Sequence, residues 1–140
     1  MGLFDMFKGD AAQALTPKLA FASAMVYMMA ADGQFEEEEI GQLVAATGGD
    51  RPLLDTALKY VRKTPLEAFL AQVPAALSAP QRLFVLTNLC DSLLADGSAA
   101  AAEQALFGRF LSAFDVSEEA FRPYFEVIAL KNNRGVLGAQ

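Results

Sequence analysis

The fold is decided by the stretch Ala30-Ala31-Asp32-Gly33-Gln34-Phe35-Glu36-Glu37-Glu38-Glu39. An apolar run, residues 19–31, precedes the turn in this stretch, and Ile40, Leu43 and Val44 follow it. Spacings of three and four residues place those last three side chains on one face of a helix. The pattern therefore predicts two helices joined by a turn that is rich in carboxylates. Because the first helix is apolar nearly all round, we expect it at the centre of the fold.

A weaker copy of this turn occurs 64 residues later, as Leu94-Ala95-Asp96-Gly97. At that offset Asp32 aligns with Asp96, and Glu39 aligns with Glu103. Apolar positions ahead of the turns align as well, Met25 with Leu89 and Met29 with Leu93. The sequence thus predicts two related helix–turn–helix units around one core. Each unit carries Asp-Gly and a glutamate six residues after the glycine.

Residue types that begin helices occur at regular points along the chain. Thr16-Pro17, Asp50, Ser78, Ser98 and Ser117 each precede a run with helical spacing, as N-caps do. Thr64-Pro65-Leu66-Glu67 has the pattern of a capping box. In the last run, Phe121, Phe125, Ile128 and Ala129 are expected to form the inner face.

We predict an all-α protein, a compact bundle of about seven helices. No stretch alternates apolar and polar residues for the length of a strand. At 140 residues the chain fits one domain. The predicted organisation is an N-terminal arm over residues 1–15, a helical domain over 16–131 and a flexible tail over 132–140. Leu3, Phe4, Met6 and Phe7 in the arm are expected to form a short amphipathic turn that packs back on the domain, with weak membrane contact as the alternative.

Composition and charge exclude several classes of function. The net charge is −6 and the eleven basic residues are scattered, which argues against binding of nucleic acid. No apolar stretch of bilayer-spanning length is free of charges and turn residues, so no membrane span is expected. A single cysteine, Cys90, excludes an internal disulfide and fits a reducing compartment. The start of the chain shows no signal-peptide pattern.

The chain contains no histidine, so it lacks the commonest general base and Ser–His or Cys–His nucleophile pairs. Gly48-Gly49 has neither the spacing nor the lysine of a phosphate-binding loop. The remaining enzymatic alternative is a hydrolase that works with carboxylates alone. We expect no enzyme and no organic cofactor.

The carboxylates of the two turns are candidate ligands for a hard divalent cation, which prefers oxygen donors. They are Asp32, Glu36 and Glu39 in the first turn and Asp96 and Glu103 in the second, with Asp91 one to two helical turns earlier. The spacing from Gly to Glu matches part of an EF-hand loop. The first and third loop positions, however, are Met28 and Ala30, and then Ser92 and Leu94, so these turns are not EF-hands.

Each acidic feature also has a purely structural explanation. Asp beside Gly is common in turns, and glutamates near a helix start compensate the helix dipole. For each acidic feature taken singly, the structural explanation is stronger than cation binding. Recurrence of Asp, Gly and Glu at one offset adds weight to cation binding, more so at the first turn. Duplication of a stable helical hairpin explains the recurrence too.

The two turns, Ala31-Asp32-Gly33-Gln34-Phe35 with Glu39 and Ala95-Asp96-Gly97 with Glu103, resemble the paired turns of the TerB family. That family is linked to tellurite resistance and stress response, and the N-terminal domain of DjlA co-chaperones is related to it. The resemblance covers residues from about 15 to 130. It implies a helical cytoplasmic protein with metal sites at Asp32, Glu36, Glu39, Asp96 and Glu103, and more loosely at Asp91. The second turn departs from the pattern, because residues 99–102 are all alanine.

The leading hypothesis is a non-enzymatic TerB-like protein of tellurite resistance and stress response. It would bind Ca²⁺, Mg²⁺ or Zn²⁺ at its acidic turns. The alternative is a protein-interaction module in which the acidic turns are structural and bind no metal. In either case the expected partners are proteins, as yet unidentified, such as a membrane-associated stress complex.

Overall fold

The structure, a computed structural model, describes residues 14–31, 43–45, 47–95 and 100–138, and every regular element in these ranges is a helix. The predictions of an all-α fold and a compact helical bundle are confirmed. The helices with described bounds are α1 (Pro17–Met29), α2 (Arg51–Lys63), α3 (Leu66–Ala76), α4 (Ala79–Ala95), α5 (Ala101–Ala113), α6 (Glu118–Lys131) and α7 (Gly135–Gly138). Residues 43–45 are helical as well.

Four of the predicted caps begin helices in the structure. The Leu19 amide donates to Thr16 Oγ1 at 3.2 Å, and the Leu53 amide donates to Asp50 Oδ1 at 3.0 Å. Ser78 and Ser117 accept in the same way at the starts of α4 and α6. Each bond satisfies an amide that has no partner within its helix. Local sequence is sufficient to place these four helix starts.

Two other predicted helix starts are wrong. Pro65, not Thr64, is the N-cap of α3, and it provides no side-chain cap. Glu67 does not complete a capping box, because both of its carboxylate oxygens accept from Arg109 Nη2 at 2.6 Å. The N-cap of α5 is Ala100, later than the predicted Ser98, which lies outside the described residues.

Helix α1 lies at the centre of the bundle, as its all-round apolar sequence predicted. Residues 19–28 are buried without a break. The helix packs against α2, α3, α4 and α5. Aromatic rings surround its C-terminal half: Phe69 of α3 lies 4.8 Å from Tyr27 and 6.2 Å from Phe110 of α5, measured between ring centroids. The core therefore forms around the helix that leads into the first acidic turn.

Helix α6 covers the bundle less completely than its sequence predicted. Phe121 and Ile128 are buried, but Phe125 is 44% exposed. Phe125 lies on the face of α6 toward α4 and α5, as predicted, but it is not buried there. Its ring borders an open cleft between helices. Beyond α6, α7 adds one helical turn within the predicted tail, with Val136 and Leu137 exposed.

Helices long and apolar enough to cross a bilayer are lacking in the part of the chain that the structure describes.

Candidate functional site

The first acidic turn joins two points that are anchored in the core. Helix α1 ends at Met29, and the Ala30 and Ala31 amides donate to carbonyls of the last helical turn at 3.0 and 3.2 Å. Just before the turn Met28 is fully buried, and after it Leu43 is fully buried as well. The predicted ligands between them, Asp32, Glu36 and Glu39, lie outside the described residues. The described flanks thus fix the two ends of the segment that carries these carboxylates.

In the second unit, Glu103 is engaged at the start of α5. Its Oε1 accepts from the Ala100 amide at 3.2 Å, in the manner of a capping-box glutamate. This bond uses one carboxylate oxygen, and the side chain is half-buried. Asp96, its predicted companion, lies outside the described residues. This hydrogen bond supports the explanation that Glu103 stabilises the start of a helix. The second carboxylate oxygen of Glu103 takes no part in the cap.

Asp91 is held by the C-terminal end of α6. Lys131 Nζ lies 3.0 Å from Oδ1 and 3.1 Å from Oδ2, and Asn132 Nδ2 donates to Oδ1 at 2.8 Å. Partial burial of Asp91 acts to raise its pKa. The hydrogen bonds from Asn132 and Lys131, with the charge of Lys131, outweigh burial and leave the pKa below its ordinary value. To bind a cation, Asp91 would have to give up these partners.

The structure does not bring Asp91 and Glu103 into a common cluster with a third ligand. Within the ranges it describes, no group of three or more His, Cys, Asp or Glu side chains is placed to hold a metal ion. A cation site with three such ligands would thus need at least one carboxylate from outside the described residues, and the predicted ligands there are Asp32, Glu36, Glu39 and Asp96.

An apolar cleft lies where α4, α5 and α6 meet, a feature that the sequence did not predict. Its volume is about 670 Å³. Cys90, Leu94, Phe107 and Phe125 are among its lining residues. Burial, with a smaller contribution from the charge of Asp91, raises the pKa of the Cys90 thiol to about 11. The thiol is therefore protonated at neutral pH and acts as a small apolar wall residue.

Comparison with known proteins gives one family match. The family model described as tellurite resistance protein TerB matches residues 18–124, most of the chain. Neither the curated proteins nor the solved structures gave a significant match. The matched range begins in α1 and ends within α6, so it includes both acidic turns, α4, α5 and the first half of α6.

Proposed function

Because the chain belongs to the TerB family of tellurite resistance proteins, we propose that it is a non-enzymatic protein of tellurite resistance and stress response. In this proposal it binds one divalent cation at its first acidic turn. Asp32, Glu36 and Glu39 are the proposed ligands. Ca²⁺, Mg²⁺ and Zn²⁺ are the candidate ions, with no organic cofactor.

One observation supports the first turn above all others. Met28 and Leu43, on either side of the turn, are both fully buried, so both flanks of the turn are held in the core. A connection anchored at both ends loses less conformational entropy when its side chains converge on an ion than a free segment does. Three carboxylates in such a connection match the oxygen donors that Ca²⁺ and Mg²⁺ prefer.

The second turn has fewer ligands to offer. Glu103 caps α5, Asp91 is paired with Lys131, and residues 99–102 are alanine. Asp96 is the remaining carboxylate of that turn. Ca²⁺ takes six to eight oxygen ligands and Mg²⁺ takes six, so a single available carboxylate would leave most of these positions to water. We therefore propose that the second turn is structural and that cation binding belongs to the first.

Calorimetric titration of the metal-free protein tests the proposal. Ca²⁺, Mg²⁺, Mn²⁺ and Zn²⁺ are titrated separately into the wild type, Asp32→Asn and Asp55→Asn. Asp55 is exposed on α2 and serves as a control with the same change of charge. We expect saturable binding of at least one ion in the wild type and in Asp55→Asn, and its loss in Asp32→Asn. Flat titrations for every ion, or equal binding by all three proteins, would refute the cation site.

A second candidate function is a protein-interaction module that needs no metal. It is favoured by the distribution of exposed large apolar side chains, which among the described residues fall mainly on α6 and α7: Tyr124, Phe125, Val127, Leu130, Val136 and Leu137. Contiguous exposed apolar surface often marks a protein contact.

Photo-crosslinking tests this second function. A photoreactive side chain at Val127, 67% exposed on α6, is expected to give an adduct of one defined mass in cells. The same side chain at Asp55 is the matched control and is expected to give none. Equal, heterogeneous labelling at both positions would count against a docking face on α6.

A further inference from the structure

Helix α6 carries an apolar stripe on a face that is turned away from the core. This outer stripe consists of four exposed residues, Ala120, Pro123, Val127 and Leu130. Their spacing of three and four residues places them on one side of the helix. Val127 and Leu130 are 67% and 61% exposed, whereas Phe121 and Ile128, on the side toward the core, are buried. Covering the outer stripe with another apolar surface would therefore be favourable.

The outer stripe is symmetric about the middle of α6. Residue 125 lies midway between Ala120 and Leu130, and it also lies midway between Pro123 and Val127. If two copies of α6 packed antiparallel about this point, Ala120 of each copy would lie level with Leu130 of the other. Pro123 would lie level with Val127 in the same way. A small side chain level with a large one lets helices approach closely. A two-fold dimer needs a surface that is self-complementary in this sense.

The charges at the two ends of α6 favour the antiparallel direction. Glu118 and Glu119 begin the helix, whereas Lys131 and Arg134 stand at and just beyond its end. About the same midpoint, Glu119 of one copy lies level with Lys131 of the second copy. Lys131 already pairs with Asp91, so the exposed Arg134 is the cation better placed to take a new partner. A parallel pair would instead bring carboxylates together in a protein whose net charge is already −6.

We propose that the outer stripe of α6 is the contact surface of a symmetric homodimer in which the two α6 helices pack antiparallel. This inference rests on the second candidate function, a protein contact on α6, and it identifies the partner as a second copy of this chain. It is independent of the cation site at the first turn. One helix face from each copy makes a small interface, so we expect a dimer that dissociates on dilution.

Sedimentation velocity of the full-length protein over a series of concentrations tests the dimer. The wild type is expected to rise from the mass of one chain to twice that mass. Val127→Glu places a carboxylate in the outer stripe and is expected to raise the dissociation constant about tenfold or more, because the charge would be buried without a partner. Gln72→Glu adds the same charge at an exposed position of α3 and is expected to dimerise like the wild type. Circular dichroism verifies that each variant is folded.

Charge variants test the antiparallel direction. Glu119→Lys and Arg134→Glu each place like charges near one another at both ends of the dimer, so each is expected to weaken self-association severalfold. In an equimolar mixture of the two variants, a heterodimer has opposite charges at both ends. The mixture is therefore expected to associate more tightly than either variant alone.

Three results would overturn the proposal. The first is a wild type that stays monomeric at every concentration. The second is a Val127→Glu variant that dimerises as well as the wild type, since the interface would then lie elsewhere. The third is a mixture of the charge variants that associates no more tightly than each alone. A monomeric wild type whose photoreactive residue 127 crosslinks to a different protein would refute the homodimer and would still support a protein contact on α6.

Discussion

Helices α1 and α4 occupy corresponding places in the two units that the sequence pattern predicts to be related, yet the structure buries them very differently. Residues 19–28 of α1 are buried without a break, whereas α4 buries only Val85, Leu86, Leu89, Cys90 and Leu93. At the 64-residue offset Ala20 aligns with Phe84, and these side chains are 0% and 54% exposed. One unit therefore supplies the centre of the bundle, and the other supplies an outer wall.

The difference in burial between α1 and α4 gives the two units different structural roles. The buried surroundings of α1 fix both ends of the first acidic turn, through Met28 and Leu43. The one-sided packing of α4 leaves the cleft that Cys90 and Leu94 line with α5 and α6. Similar sequence patterns thus lead to an anchored turn in one unit and an open groove in the other. Substitutions that compare the two helices test this division directly.

The largest effect is expected from Ala20→Phe, which places in α1 the residue that stands at the aligned position of α4. Ala20 is completely buried and close-packed, so the added ring forces its neighbours apart. We expect a loss of about 3 kcal/mol in the free energy of unfolding, measured by urea denaturation, or failure to fold. A loss below about 1 kcal/mol would show that the centre of the bundle has spare room.

The reverse substitution, Phe84→Ala, is expected to be milder. Phe84 is more than half exposed, and its main aromatic contact is the edge-on packing against Phe21. Removal of that contact is expected to lower stability by about 1 kcal/mol in the same urea experiment. If Phe84→Ala destabilised the protein as much as Ala20→Phe, the assignment of α4 to an outer wall would be wrong.

A smaller, pH-dependent effect is expected where α4 meets α6. The pKa of Asp91 is lowered in the folded protein, so its contribution to stability is present above its ordinary value of 3.8. That contribution is lost as the pH falls through the lower folded pKa. At neutral pH we expect Asp91→Asn to lower stability by about 0.5 kcal/mol, since the ion pair is partly exposed.

Urea denaturation at neutral pH and at a pH below the folded pKa of Asp91 checks this prediction. The gap between the wild type and Asp91→Asn should close in acid, while Asp55→Asn should match the wild type at both values. A gap that widens as the pH falls would contradict the direction of the pKa shift.

The smallest effect is expected at the ion pair that joins α3 to α5. Glu67 accepts both hydrogen bonds from Arg109 Nη2, but the two side chains are 76% and 44% exposed. Water and salt screen such a pair, so Glu67→Gln is expected to lower stability by only about 0.3 kcal/mol. The difference should vanish in concentrated salt, and a difference that survives there would reveal a contact other than the ion pair.

The parts of the fold that were predictable from sequence depend on neighbours along the chain. Thr16 and Asp50 cap helices because the amides they accept from lie three residues away. Glu67 was misassigned because its partner, Arg109, lies 42 residues away. The exposure of Phe125 could not be predicted, because helical spacing shows which residues share a face and not whether another element covers that face. The partners of Asp91, Lys131 and Asn132, could not be predicted either, because they lie 40 and 41 residues away along the chain.

The number of cations bound per chain tests most directly whether the first turn binds a cation and the second turn does not. Calorimetry of the wild type, Asp32→Asn and Asp96→Asn with the ion that binds best gives the number of sites in each. We expect one cation per chain, lost in Asp32→Asn and unchanged in Asp96→Asn, because Glu103 and Asp91 are already engaged beside the second turn. Two cations per chain, or loss of binding in Asp96→Asn, would contradict the assignment of the site to the first turn.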